Sequence, residues 1–167
     1  MKKIVLTLMA FVAITSLSAQ DYQGSLVKCG DQVPDFTLES ISGNKISTAD
    51  LKGKVVLVNF FATWCGPCMK ELPQVEAKLW PKFKDENFTM ISIGREHTKE
   101  QLQTWNKKKA FTFPIAPDPK REVYSKFANQ YIPRNFILDK TGKIIWQGVG
   151  FSEEELEQMM KTIQDNL

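Results

Sequence analysis

Apolar positions along the chain change period several times, and each change marks an element. Residues 55–61 form the densest block, β-branched and aromatic, short enough for a strand covered on both faces. The period then lengthens. Leu72, Val75, Leu79 and Phe83 recur at steps of three, four and four, which predicts a helix with one buried face. Pro73 inside it should kink it, by removing one backbone donor and crowding the preceding turn, and Pro81 should end or bend it again. Residues 88–93 read as a second core strand. Thr98 and Gln101 form a capping box for a helix burying Leu102 and Trp105. Pro114 holds residues 111–113 extended, and Asp118-Pro119 starts a helix with Val123 and Phe127 inward. Residues 135–139 and 143–147 are strands joined by a hairpin turn at 140–142. Ser152 and Glu155 cap a last helix whose stripe is Leu156, Met159, Met160, Ile163 and Leu167; its methionine pair reads as core. Upstream, residues 30–39 alternate as a strand, 42–44 are turn residues before a short strand at 45–47, and 48–51 make one helical turn. This order predicts an α/β sandwich around one mixed sheet, preceded by a small hairpin.

The N-terminus follows a different logic. Lys2 and Lys3 precede an apolar run at 4–17, and small residues at 18 and 19 lead into Gln20, the layout of a secretory signal peptide cut after Ala19. The run falls short of the roughly 20 apolar residues a membrane span requires. Cys29 follows Lys28, where a lipid-attachment signal wants a small residue. The expected organisation is therefore a signal peptide at 1–19, a loose leader at 20–29 and one domain at 30–167. Cleavage leaves 20 basic against 19 acidic residues, a balance of +1 that offers nothing to nucleic acid or a membrane surface. Lys107, Lys108 and Lys109 read as a solvated helix face. Export to a periplasmic or other extracytoplasmic space places the cysteines in an oxidising compartment.

The chemistry concentrates at Trp64-Cys65-Gly66-Pro67-Cys68, between the first core strand and its helix. There the first thiol meets unpaired backbone N–H groups and the positive end of the helix dipole, which favour the reactive thiolate. Pro67 suits an early helical position, where its missing N–H would have had no partner. On residue types alone the pair could be a static staple, a redox couple or metal ligands. Cys65, Cys68, Cys29 and His97 would make the four donors of a zinc or copper site, although Cys29 and His97 stand alone in sequence, and a lone loop histidine is usually solvated.

From Gly30 to the C-terminus the chain resembles the TlpA/ResA-like family of exported thiol–disulfide oxidoreductases on the thioredoxin-like fold. The residues that carry the resemblance are Val33-Pro34-Asp35-Phe36, the stretch from Asn59 through Cys68, Glu71 and Pro73, and Ile132-Pro133 before a late strand. The resemblance implies a central mixed β-sheet flanked by helices, an N-terminal β-hairpin and a helical insert at 98–113 that could meet a partner. It makes Cys65 the attacking nucleophile and Cys68 the resolving thiol. Trp64 would shield the pair, and Trp64, Gly66, Pro67, Ile132 and a cis Pro133 would line the substrate groove. Asn59 stands where thioredoxins carry a buried aspartate. Glu71 takes the place of a ResA-like acid that would manage the proton on Cys68, or is a solvent-facing carboxylate with no role. Cys29 departs from the family, as a free thiol, an intermolecular bridge or an apolar filler. Peroxidase chemistry on this fold needs a threonine three residues before the reactive cysteine, and Ala62 occupies that place. The Gly66-Pro67 dipeptide matches thioredoxin, whose couple is reducing at about −270 mV. The resemblance therefore implies a reductant with no cofactor. Its clients would be disulfide-containing exported proteins such as apocytochromes, and its electron donor a protein embedded in the membrane.

Overall fold

The computed structural model describes residues 22–167; the expected signal peptide lies outside them. Strand β3 (Val55–Phe61) is the axis, and every one of its residues is buried. Strand β4 (Phe88–Arg95) pairs parallel to it on one side and β6 (Arg134–Leu138) antiparallel on the other. Strand β5 (Ile115–Asp118) adds parallel to β4, and β7 (Ile144–Val149) adds antiparallel to β6, giving the order β5-β4-β3-β6-β7. Strands β1 (Thr37–Glu39) and β2 (Lys45–Ser47) form the separate hairpin.

Alternation along β3 divides its side chains between two cores. Val55, Leu57 and Phe61 pack with Leu72, Val75, Leu79 and Phe83, and with Leu156, Met159 and Ile163 of helix α5 (Glu153–Asn166). Val56, Val58 and Phe60 point the other way, toward Phe36, Leu51, Tyr124 and Phe127. Phe60 is the centre of this second core, its ring 5.4 Å from Tyr124, 5.1 Å from Phe127 and 6.2 Å from Phe136.

Helix α1 (Gly66–Gln74) continues through a wider π turn at Val75–Leu79 into α2 (Trp80–Phe83). The disturbance expected at Pro73 is a change of hydrogen-bond register: the Val75 N–H is shared between the Glu71 and Leu72 carbonyls. Pro81 does not end the run: the wider π turn before it, in which the Trp80 N–H reaches back to the Val75 carbonyl, carries the helix past it. Helix α3 (Lys99–Lys109) carries the Thr98–Gln101 capping box and stops at Ala110 in a left-handed conformation. No helix among the described residues is long and apolar enough to cross a membrane.

Several boundaries differ from expectation. Only residues 37–39 of the stretch 30–39 pair as strand, since Gly30, Val33 and Phe36 donate instead to Ile144, Gly142 and the Thr48 hydroxyl. Residues 111–113 are not strand: the Asn106 amide holds both backbone groups of Phe111, and sheet pairing begins at Ile115. The helix expected from Asp118 is the single turn α4 (Tyr124–Phe127), because left-handed Arg121 interrupts it and Asp118 caps it from a distance, accepting from the Val123 and Tyr124 N–H groups. The leader is not loose from residue 22 on. Leu26 N–H donates to Phe127, Asn129 N–H donates to Gly24, and Ser25 bridges to Ala128, a strand-like pairing that a patternless polar sequence does not advertise.

Phe60→Ala should lower the unfolding free energy by about 3–5 kcal/mol, because three rings would lose their common neighbour. Urea denaturation followed by circular dichroism measures this, and a loss under about 1 kcal/mol would show that the second core does not depend on Phe60.

Candidate active site

Strands β3, β4 and β5 all end at one edge of the sheet, and antiparallel β6 begins there, so their loops converge. Cys65 is the N-cap of α1, with extended backbone. Its sulfur accepts the Cys68 N–H at 3.2 Å and is joined to the Cys68 sulfur in a disulfide with an S–S distance of 2.07 Å. Gly66 and Pro67 form the first helical positions, where the free N–H groups of the helix gather. Across from the disulfide, the Ile132 carbonyl oxygen lies 3.6 Å from Cys65 Sγ, and the Ile132–Pro133 peptide is cis. Both cysteines are buried, whereas Trp64 beside them is 62% exposed.

One turn after Cys68, Glu71 is fully buried. Its surroundings come from a row of polar side chains at one register level: Asn59 of β3 pairs with Ser92 of β4 and with Asn135 of β6. The Ser92 hydroxyl donates to Asn59 Oδ1 at 2.6 Å. Asn59 Nδ2 donates to Glu71 Oε2 at 2.9 Å and to Asn135 Oδ1 at 2.8 Å, and Asn135 Nδ2 donates to Glu71 Oε1 at 2.5 Å. Glu71 thus brings a carboxyl group to the side chain of Asn59, and the solvent-facing alternative for it is excluded. Burial pushes its pKa up to about 8, against the pull of the Asn135 and Asn59 donors, and the Glu155 carboxylate adds to the rise.

His97 also departs from expectation. It is buried, and its Nε2 accepts the Thr63 backbone N–H at 3.0 Å, so a neutral imidazole braces the turn leading into Cys65. Burial holds its pKa below the ordinary 6.5. Cys29 is exposed and free, which removes the filler reading. Among the described residues no three His, Cys, Asp or Glu side chains come together to hold a metal ion, so the four-donor set is not assembled.

Residues 29–147 match the model of the AhpC/TSA family. The chain belongs to that family. The thiol–disulfide oxidoreductase ResA of Bacillus thuringiensis subsp. konkukian is 34% identical over 148 residues, 85% of each chain. The thioredoxin-like protein YneN of Bacillus subtilis is 38% identical over 138 residues, 78% of each chain. A Bacteroides thetaiotaomicron structure, described provisionally as a protein disulfide isomerase, superimposes with a TM-score of 0.82 at 35% identity, covering 86% of this chain and 92% of that one. With ResA relatives at this identity over most of its length, the protein is a ResA-like thiol–disulfide oxidoreductase carrying its Cys-x-x-Cys pair at Cys65 and Cys68.

In this ResA-like protein the residues singled out from sequence lie around one sulfur pair: Trp64, Gly66 and Pro67 on the α1 side, Ile132 and Pro133 opposite, and Glu71 beneath. Ser92, Asn135, Arg95 and Tyr124 were not foreseen as neighbours of the site. The signal for the first two was available, since polar residues inside core strands must find partners.

Glu71 leaves a pH signature. Its carboxyl is protonated more readily in the folded state than in the unfolded chain, so its contribution is full below the ordinary value of 4.5 and is lost as pH rises through about 8. Between those limits it should remove up to about 1.4 kcal/mol of stability per pH unit. Urea titrations from pH 5 to 8 should show a shallower decline for Glu71→Gln; an unchanged slope would assign the effect to another group. His97 acts in the opposite sense: its depressed pKa means its support is present above 6.5 and lost as pH falls through the folded value. His97→Phe, which strands the Thr63 N–H, should cost about 1–3 kcal/mol at pH 7.5 and flatten the acid limb.

Proposed function

We propose that the protein reduces disulfides in exported client proteins, cycling between a Cys65/Cys68 dithiol and the disulfide seen here. The observation that carries this reading is the linked pair itself, with its outer sulfur at the head of α1 and facing the Ile132 carbonyl. In the reduced enzyme the Cys65 thiolate attacks a client disulfide, forming a Cys65–client bond and expelling one client thiolate. Cys68 then gives up its proton and attacks Cys65 Sγ. The second client thiolate leaves, two electrons have passed to the client, and the enzyme is oxidised. Glu71 suits the role of proton acceptor for Cys68: it sits one turn away, is shut off from water, and has a pKa near that of a thiol, so it can both take and return a proton near neutrality. The cis-proline loop would hold the client strand through the backbone of Ile132, whose carbonyl faces Cys65 Sγ.

Signal-directed export of residues 20–167 fits this role, as does re-reduction by a membrane-embedded donor, and apocytochrome cysteines awaiting haem are suitable clients. Purified protein should accelerate insulin reduction by dithiothreitol, Cys65→Ser should fall to the uncatalysed rate, and Cys68→Ala should accumulate clients linked through Cys65. The couple should equilibrate with glutathione at about −270 mV; a value near −120 mV would make the protein an oxidant and reverse the direction assigned here.

A further inference from the structure

Beside the disulfide a series of stacked groups connects the two walls of the cleft. The Arg95 guanidinium, at the end of β4, lies over the Trp64 ring at 5.5 Å and over the Tyr124 ring at 4.9 Å. Arg121 lies over Tyr124 at 5.1 Å. The Tyr124 hydroxyl donates to the Tyr131 carbonyl at 2.7 Å, and the next carbonyl, that of Ile132, faces Cys65 Sγ. Trp64, next to Cys65 in the chain, and Tyr131, next to Ile132, are 62% and 51% exposed, uncommon for rings of this size.

Two further observations single out this surface. Glu96, Arg121 and Tyr131 all adopt left-handed backbone conformations without being glycine, and all three belong to this one cluster. Such strain persists where the surrounding structure imposes it, and it gathers at binding sites. The charge is also one-sided. Glu96 sits between the two guanidinium groups, 3.4 Å from Arg95 and 3.9 Å from Arg121, and Asp118 is turned inward onto two backbone N–H groups. Arg134, directly after the cis proline, is fully buried, donates to the Gln23 and Gln130 carbonyls, and has no ion-pair partner among the described residues. Arg95 and Arg121 therefore share the Glu96 carboxylate, and the Arg121 Nε is buried without a hydrogen-bond partner.

We infer that the Trp64–Arg95–Arg121–Tyr131 surface selects client segments carrying an acidic side chain close to the cysteine under attack. The rings would grip the segment, and the guanidinium groups would take its carboxylate. This inference rests on the exchange reaction proposed above. It assigns specificity to a surface outside the Cys-x-x-Cys motif, with Arg95 and Arg121 as its determinants.

The test uses three disulfide peptides of equal length with Glu, Gln or Lys two residues from the target cysteine. kcat/KM is measured for wild type, Arg121→Gln, Arg121→Glu and Lys161→Glu. Arg121 is the variant site of choice because a third of its side chain is exposed; Lys161, on the outer side of α5, makes the same charge change elsewhere. Wild type should prefer the Glu over the Lys peptide by about tenfold at low ionic strength, with the ratio shrinking by 0.5 M salt. Arg121→Gln should reduce that ratio and Arg121→Glu should bring it to one or below, while Lys161→Glu keeps it. A wild-type ratio near one, or a ratio that Arg121→Glu leaves in place, overturns the inference while the exchange reaction stands. Failure to reduce any of the three peptides would remove the exchange reaction and the inference together.

Discussion

The carboxyl group of Glu71 closes a polar row laid across an apolar sheet, and the seat of the active-site helix depends on it. Ser92, Asn59 and Asn135 stand side by side on β4, β3 and β6, on the face that α1 covers. Each brings donors or acceptors into a place without water, where an unpaired group would cost more than a hydrogen bond returns. The row converges on Glu71, from the serine hydroxyl through the Asn59 amide and from the Asn135 amide, which itself accepts from Asn59. Glu71 therefore has only one direction in which to point, and that sets the rotation of α1 about its axis. Cys68, three residues earlier on the same helix face, is placed with it.

Once α1 is set, the geometry of the sulfur pair follows from strand ends. The parallel strands deliver their loops to one edge, and antiparallel β6 starts from that edge after the cis proline. Thus the Ile132 carbonyl faces Cys65 from one segment, and the Arg95 side chain meets Trp64, at the end of the Thr63 turn, from another. His97 braces the turn by accepting its backbone N–H, and Arg95 braces Trp64 by stacking. Neither contact involves a sulfur, but both limit how the cysteine loop can move.

Much of this was legible in the sequence. The central strand, the helix behind it, the Thr98–Gln101 capping box and the late hairpin all came from periodicity and turn chemistry, because those signals are local. Glu71 came from the family resemblance, which left a solvent-facing carboxylate as the alternative. What escaped depends on pairing between distant strands. Asn59 and Asn135 are separated by 76 residues, and only sheet register shows that they share a level. His97 looked like a loop residue because it follows a strand end; its burial comes from the Thr63 turn folding onto it. The leader from Tyr22 to Cys29 carries no alternation, yet its backbone is bonded to Phe127 and Asn129 and bridges to Ala128, which side-chain patterns do not report.

With Asn59 on the strand and Glu71 on the helix, the buried carboxyl belongs to α1 and not to the sheet. An acid on β3 would belong to the sheet, and its distance to the sulfurs would depend on how the helix docks. Glu71 belongs to α1, the same nine-residue segment that starts beside Cys65 and contains Cys68. Sulfur and carboxyl then move as one body if the helix shifts against the sheet. Asn59 keeps the sheet side neutral, so the ionisation of Glu71 is not opposed by a second carboxylate from the strand beneath it. Its nearest acidic influence comes instead from Glu155, on α5, a residue only partly buried and therefore open to screening by solvent. The buried acid is left to titrate mainly against its own burial, and that keeps its pKa close to a thiol's.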